Sequence, residues 1–269
     1  MDFFLFWKGF LSAFLIASST ALIGVFLIIK RLAMLGAGLS HAAFGGIALA
    51  LVFGLEPMTF TVFYTVALGL FLQFLIDKKS IPADTLVSLF FSFGVALAIV
   101  ILGVSQNLGT NLYSYLFGSM LTVTEEELYL SIAVSSLTVG FVFLNFKSLM
   151  LLCFNEELAR LRGVKVNLLN YLLVAIASAN IVLSIKVVGL VLSASFISIP
   201  PMTSLFLSWS FTSSLMLSLF FSLLALVVGI ILSLYADLPP GGAVVGLMVL
   251  LFLLSALVKL IGRRFLRLF

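Results

Sequence analysis

Residues 154–163 read FNEELARLRG and form the longest polar interruption in a chain of 269 residues that is 63% hydrophobic and 9% charged. The order of residue types suits a short helix: a capping amide comes first, acids fill the first turn, basic residues occupy the last turn, and a glycine follows. These residues are Asn155, Glu156, Glu157, Ala159, Arg160, Arg162 and Gly163. The stretch predicts a water-exposed helix of about two turns. A plain solvated connector is the alternative, although a connector gains nothing from caps at both ends.

Apolar runs of membrane-spanning length lie on both sides of this stretch, and 28 phenylalanines contribute to them. Roughly 20 apolar residues are enough for a helix to cross the hydrocarbon core of a bilayer. Such runs occupy residues 9–29, 35–54, 58–76, 85–103, 127–146, 168–185, 187–207, 211–235 and 242–261. The pattern predicts an all-α, polytopic membrane protein with a single transmembrane domain over residues 1–269 and about nine spans. Eight spans are the alternative, because only Lys186 separates the sixth run from the seventh.

The basic residues test this count, since loops on the cytoplasmic side of a membrane are enriched in lysine and arginine. If residues 155–163 are cytosolic, alternation of nine spans places 12 of the 14 basic residues on the same side. They are Lys30, Arg31, Lys78, Lys79, Lys147, Arg160, Arg162, Lys165, Lys259, Arg263, Arg264 and Arg267. Only Lys8 and Lys186 fall on the other side. The predicted topology is therefore a multi-pass protein of the cell membrane with its N-terminus outside and its C-terminus in the cytosol.

Several function classes are excluded or disfavoured by composition. The net charge of +4 follows the predicted topology and so is not a signal for nucleic-acid binding. A single cysteine, Cys153, rules out a disulfide framework within the chain and any CxxC metal site. The predicted outer loops carry an acidic set of side chains, which ordinary loop solvation also explains. This set is Glu56, Glu125, Glu126, Glu127 and Asp237.

Two further features interrupt the apolar pattern. Residues 112–121 are apolar but too short to cross a bilayer, so they predict a re-entrant or interfacial segment between spans four and five. His41, the single histidine, lies in the glycine-rich second span. An ionisable residue at membrane depth suggests a functional role, whereas a neutral histidine bonded to a neighbouring helix is the structural alternative. The glycines of this span suit either a broken helix or tight packing.

Residues 31–50, RLAMLGAGLSHAAFGGIALA, resemble the signature of the permease subunits of ATP-binding-cassette (ABC) importers for zinc, manganese and iron. That family's pattern reads approximately G-D-A-L-S-H-A-x-x-P-G. Three more blocks match in order: NLYSYLFGSML before span five, FNEELARLRGVKVNLLN around the predicted short helix, and VVGLVLSASFISIPPMTS with ADLPPGGAVVGL in the last third. The resemblance covers nearly the whole chain.

The resemblance implies a type II importer permease in which the helix at about 155–163 is the coupling helix that ABC ATPase subunits bind. It implies a second permease subunit, either another copy of this chain or a close relative, with a divalent zinc or manganese cation as cargo between the two subunits and no permanently bound cofactor. His41 and Ser40 become candidate cation ligands. The outer acids become candidate charges for docking an extracytoplasmic metal-binding protein. The chain holds no G-x-x-x-x-G-K-[ST] loop, so it is not itself expected to be an enzyme, and a separate chain would hydrolyse ATP.

Two departures from the family pattern leave alternatives for the cargo. The family's aspartate, one helical turn before its histidine, is Ala37 here, and its proline is Gly45. Either water, backbone carbonyls and Ser40 complete the cation site, or the cargo is another one, such as a metal chelate.

Two other functions fit parts of the pattern. An intramembrane serine protease would need His41 to face Ser193 or Ser195, because Ser40 and His41 are adjacent and point apart on a helix. A secondary transporter would need membrane-buried carboxylates, whereas every acid of this chain falls at a span end or in a loop.

Overall fold

A computed structural model describes residues 3–78, 81–104, 115–116, 118 and 120–266. Within these residues the chain is built from helices that run back and forth across one bundle. They are α1 (Phe3–Ile29), α2 (Leu35–Phe53), α3 (Pro57–Asp77), α4 (Ala83–Val104), α5 (Glu125–Leu144), α6 (Phe146–Phe154), α7 (Glu156–Leu161), α8 (Val166–Val188), α9 (Leu190–Leu207), α10 (Phe211–Ala236) and α11 (Pro240–Leu266), with a short 3-10 helix at Met120–Thr122.

Eight of the described helices are long and apolar enough to cross a membrane, and α9 is a shorter apolar helix. At 18 residues, α9 is about 27 Å long, close to the thickness of the hydrocarbon core. The nine predicted runs therefore correspond to nine helices. The two short helices, α6 and α7, lie outside this set.

The predicted boundary between the sixth and seventh runs is wrong. Lys186 lies inside α8, which continues to Val188, and the break falls at Gly189. Gly189 has a φ of 88°, a backbone conformation that favours glycine. The charged residue does not end the helix, because its side chain bonds Glu127 at 2.9 Å instead of turning towards water.

The bundle has two distinct ends. The first, called here the α7 end, connects α1 to α7 through Lys30, which directly follows α1, and Glu156. It includes the start of α10, where Phe211 packs on Phe154. At the opposite end, Lys8 of α1 pairs with Glu125 at the start of α5. Nine long helices of the described residues run between these two ends. Because nine is an odd number, the first helix begins at one end and the last helix finishes at the other.

The glycines of α2 permit tight packing, and the helix is continuous. A Cβ added to Gly38 would lie 3.0 Å from the carbonyl oxygen of Val87 in α4. Conversely, a Cβ on Gly94 of α4 would overlap the backbone of His41 and Ala42. These mutual approaches bring α4 against the helix that carries the single histidine. Close packing of small residues is a main source of helix association in membranes.

A buried hydrogen-bond cluster joins α1, α5 and α8. The Asn180 side chain accepts a bond from the Ser19 hydroxyl at 2.5 Å and donates to the Thr138 hydroxyl and the Ile176 carbonyl oxygen, each at 2.8 Å. The Ser135 hydroxyl donates to Ser19 at 3.2 Å. All of the amide's bonding groups therefore find partners at a depth where water is absent.

The predicted re-entrant segment, residues 112–121, lies largely outside the described residues. Tyr115 and Leu116 are helical, and Met120 opens the 3-10 helix.

We expect Gly241→Ala to destabilise the protein and Gly242→Ala to leave its stability nearly unchanged. A Cβ on Gly241 would overlap the carbonyl oxygen of Val188, whereas a Cβ on Gly242 meets no atom within 4 Å. Overpacking of this kind costs about 1–3 kcal/mol. Thermal unfolding of the two purified variants in one detergent measures the difference. Equal melting temperatures would contradict the close approach of α11 to the end of α8.

Candidate functional site

α2 is buried along residues 35–48 except on one face, and His41 lies on that face. Between residues 35 and 48, every side chain is buried except those of Ala37 and His41, which are half-buried. Four residues separate the two, so they lie one above the other on the same face of the helix. The structure thus brings Ala37 and His41 to one common surface.

The His41 imidazole packs on the Phe91 ring of α4, with 4.1 Å between the ring centroids. Within the part of the chain that the structure describes, no hydrogen bond engages either imidazole nitrogen. An imidazole nitrogen with a free lone pair is a good ligand for a transition metal ion. The described residues of one chain hold no group of three or more histidine, cysteine or acidic side chains that could enclose a metal ion. Further ligands would have to come from water, backbone or another chain.

Ser40 is fully buried, and its hydroxyl is used within the protein. The hydroxyl donates to the Gly36 carbonyl oxygen at 2.6 Å and accepts a bond from the Ser193 hydroxyl of α9 at 2.8 Å. Ser40 would reach a cation only after giving up these bonds. The Ser193 hydroxyl likewise bonds Ser40 and the Leu190 carbonyl oxygen, and among the described residues no hydrogen bond joins it to His41.

The predicted caps of the short helix are confirmed in α7. The Asn155 side chain accepts a hydrogen bond from the Leu158 backbone N–H at 3.0 Å, and Gly163 has a φ of 77° just beyond the last turn. Glu156 and Glu157 fill the first turn, and Arg160 lies in the last turn. Local capping rules therefore account for this helix, although it is only six residues long.

Polar contacts hold α7 to the bundle. Glu156 pairs at 2.6 Å with Lys30, the residue after α1, and accepts a bond from Asn170 of α8 at 3.4 Å. Arg160 donates to Asn167 at 2.9 Å. Burial opposes ionisation of Glu156, but the bonds from Lys30 and Asn170 and the charges of Lys30 and Arg160 outweigh it and lower the pKa of this carboxyl. Glu156 therefore stays ionised at neutral pH, and its stabilising effect is lost only as the pH falls through that lowered pKa.

The exposed surface of α7 mixes large apolar side chains with charged ones. Leu161 is 88% exposed and Phe154, just before the helix, is 69% exposed, while Ala159 is fully buried against the bundle. Leu158 is also exposed. Large exposed apolar side chains beside charged ones are typical of a protein-binding surface.

A mixed-charge pocket lies beside α7, with a volume of about 840 Å³. It is bounded by the segment that follows α1, the last turns of α3, the first turn of α4, and by α7 and α8. Its charged lining residues are Lys30, Arg31, Asp77, Asp84, Glu156, Glu157 and Arg160.

The predicted outer acids all lie at the end opposite α7, where they have different surroundings. Glu126 and Asp237 are exposed, and the Glu56 carboxylate caps α3 by accepting bonds from the Met58 and Thr59 backbone N–H groups. Glu125 pairs with Lys8 at 2.6 Å and stays exposed. Glu127, by contrast, is 5% exposed.

Glu127 is held by two sets of contacts. It forms a capping box with Thr124, and it pairs with Lys186 at 2.9 Å. The two basic residues that broke the charge pattern, Lys8 and Lys186, are thus each paired with an acid at the start of α5. Sequence reasoning missed these pairs, because 117 positions separate Lys8 from Glu125.

We expect Glu127→Gln to destabilise the protein far more than Glu125→Gln. Removing the Glu127 charge leaves the Lys186 ammonium 13% exposed without its counter-ion, and breaking a buried pair costs about 3–5 kcal/mol. Glu125 is 66% exposed, so water screens its pair with Lys8, and such exposed pairs contribute little to stability. Lys8 is itself only 16% exposed, but it has a further interaction besides this pair. Thermal unfolding of both variants in detergent provides the measurement. A larger loss for Glu125→Gln would contradict the assigned burial.

The model of the ABC 3 transport family matches residues 2–259. A probable metal transport system membrane protein of Treponema pallidum is 32% identical over 250 residues, which cover 92% of this chain and 94% of the relative. The high-affinity zinc uptake system membrane protein ZnuB of Buchnera aphidicola is 29% identical over 96% of this chain and all of its own length. The manganese transport system membrane protein MntC of Listeria innocua is 26% identical, with 93% of this chain and 90% of the relative covered.

Solved structures share the fold as well. PsaBC from Streptococcus pneumoniae, solved in complex with a Fab, superimposes with a TM-score of 0.83 at 25% identity, covering 94% of this chain and 91% of that one. An inward-facing, putative metal-chelate type ABC transporter superimposes with a TM-score of 0.72 at 22% identity, covering 93% and 84%. With its helical bundle, its capped short helix and a family match over almost its full length, this chain belongs to the ABC 3 transport family.

Proposed function

We propose that this chain is the membrane-spanning subunit of an ATP-driven importer that moves a divalent transition-metal cation, zinc or manganese, into the cytosol. The observation that carries the proposal is the family match over residues 2–259. Relatives named for zinc and for manganese transport each match more than nine-tenths of the chain, which supports these two metals as cargo. The cation is cargo and not a resident cofactor.

The proposed cation path runs along the face of α2 that carries Ala37 and His41. The free imidazole lends one ligand, and a second copy of the chain facing this surface would supply another by symmetry. Water and backbone carbonyls would complete the set, since the aspartate of the family pattern is replaced by Ala37. Ser40 joins as a ligand only in a state where its bonds to Gly36 and Ser193 are broken.

The proposed motor contact is α7 with its exposed leucines, Leu158 and Leu161. Two ABC ATPase subunits would bind there, one on each permease copy, and Leu161 would be buried on binding. Rotation of α7 would then act on α1 through the Lys30–Glu156 pair and on α8 through Asn167 and Asn170. Transport alternates between two conformations whose populations depend on the bound ligand and nucleotide. α7 would therefore act by transmitting motion through rigid contacts, and it needs no reactive side chain.

This function places α7 in the cytosol and the N-terminus outside. Basic residues gather at the α7 end, as the positive-inside rule requires. The exposed acids Glu56, Glu125, Glu126 and Asp237 then face outwards, where an extracytoplasmic metal-binding protein would dock. Glu127 would contribute to this docking surface only indirectly, by holding Lys186 in place, because its own carboxylate is buried.

Reconstitution tests the proposal. The chain is purified with its neighbouring ATPase and binding protein, placed in liposomes, and assayed for zinc and manganese uptake with and without ATP. We expect uptake that requires ATP and all components. Uptake by this chain alone would instead support a secondary transporter. ATP-dependent uptake of a metal chelate, with none of either free cation, would reassign the cargo.

A further inference from the structure

The outer surface of the bundle has an apolar groove that the proposed transport function does not use. Its volume is about 870 Å³, within the range of small-molecule sites. α1 forms its floor and packs against both α5 and α10, which stay apart and form its two walls. The lining residues are mainly Leu22, Val139, Val142, Leu215 and Leu219.

The groove is polar at one mouth and apolar in its depth except for Ser18, whose hydroxyl donates a hydrogen bond to the Phe14 carbonyl oxygen at 2.8 Å. The mouth is lined by Lys147 and Ser148 in the first turn of α6 and by Thr212 in the first turn of α10, all at the α7 end. Val139 and Leu219 lie about 10 Å deeper, as the rise per residue of a helix gives. Half of a bilayer's hydrocarbon core is about 15 Å thick, so a groove about 10 Å deep reaches about two-thirds of the way into one leaflet.

The mouth lies where the hydrocarbon region ends. Phe143 and Leu144, the last residues of α5, are 73% and 88% exposed, as expected of side chains in contact with lipid tails. Lys147 follows three residues later and is exposed on α6. An ammonium placed just beyond lipid-facing apolar residues lies at the level of phospholipid headgroups.

Lys147 differs from most other described lysines in lacking an internal partner. Lys30 and Lys186 pair with carboxylates, and Lys259 lies over the Phe206 ring. Within the described ranges, none of the three ion pairs involves Lys147. Its positive charge is therefore available to an anionic group that enters the mouth of the groove.

We propose that this groove binds one anionic phospholipid, with its phosphate on Lys147, Ser148 and Thr212 and one acyl chain between α5 and α10. Charge complementarity selects an anionic headgroup over a zwitterionic one, because basic residues at the membrane surface attract anionic lipids. The apolar depth selects a lipid over free phosphate. The site is independent of the cation path, since α2 does not line it.

Native mass spectrometry of the purified transporter complex tests the site. The complex is titrated with phosphatidylglycerol and, separately, with phosphatidylcholine, and retained lipids are counted. We expect preferential retention of phosphatidylglycerol. Lys147→Gln should weaken that retention about fivefold, the effect of one basic residue, and leave phosphatidylcholine unchanged. Lys165→Gln is the matched control, because Lys165 is an exposed lysine of the same end that lies outside the groove.

A second variant separates the groove from the charge. Met216→Trp fills the groove from its exposed rim and should reduce retention of both lipids. Equal retention of phosphatidylglycerol by wild type and Lys147→Gln would overturn the proposal, as would unchanged retention by Met216→Trp. In a Cys153→Ser background, disulfide formation between two copies through Met216→Cys would show a second copy in the groove and would also overturn it.

Discussion

His41→Ala is expected to lower metal uptake by the assembled transporter at least about tenfold while leaving its assembly intact. The imidazole is the one side chain of the open α2 face that offers a nitrogen ligand, and Ala37 beside it offers none. Loss even of a supporting contact at a metal site costs about 10–100-fold, so loss of a ligand should cost no less. ATP-dependent uptake of radioactive zinc and manganese in liposomes measures the effect.

Ser40→Ala is the control for this prediction. The Ser40 hydroxyl is buried in a bond with Ser193, so its removal should affect stability before uptake. Retained uptake in Ser40→Ala, together with loss in His41→Ala, would assign the cation contact to the imidazole alone. Unchanged uptake in His41→Ala would remove this residue from the cation path.

Leu161→Asp is expected to abolish co-purification of the ATPase subunits without unfolding the chain. Leu161 is 88% exposed on α7, so its replacement removes no internal packing. Burying an unpaired carboxylate in an apolar contact with the ATPase is strongly unfavourable. Affinity purification through a tag on this chain, followed by quantification of the bound ATPase, measures the result.

Leu238→Asp is the matched control, because Leu238 is an exposed leucine at the opposite end of the bundle. It should retain the full amount of ATPase. Arg160→Glu reverses a charge on α7 itself and should also weaken ATPase binding, since its bond to Asn167 fixes the helix orientation. Full ATPase retention by both Leu161→Asp and Arg160→Glu would contradict the assignment of α7 as the motor contact.

Local rules predicted the parts of this fold that depend on neighbours in sequence. The caps of α7 follow from Asn155 and Gly163 within a few residues, and the spans follow from runs of apolar residues. Even the common face of Ala37 and His41 follows from their four-residue spacing. These features require no knowledge of the tertiary contacts.

Features that depend on distant partners were not predictable in this way. The end of α8 was misplaced at Lys186, because the acid that allows this lysine to stay in the helix lies in α5. Asn180 lies within a predicted span, but its partners lie 161 and 42 positions away in Ser19 and Thr138. Likewise, Ser40 resembled a ligand by sequence position alone, and its bond to Ser193 comes from another helix.

The hydrogen bonds around Asn180 have a mechanical consequence. Sliding α1, α5 or α8 past one another would strand an amide or hydroxyl in a region without water, so these three helices should travel as one rigid unit. That unit contacts α7 at one extremity through Lys30 and carries both lysine–acid pairs at the other. A tilt imposed by nucleotide in the cytosol would thus reach the outer surface directly, and distances between spin labels on the three helices should stay constant through the cycle.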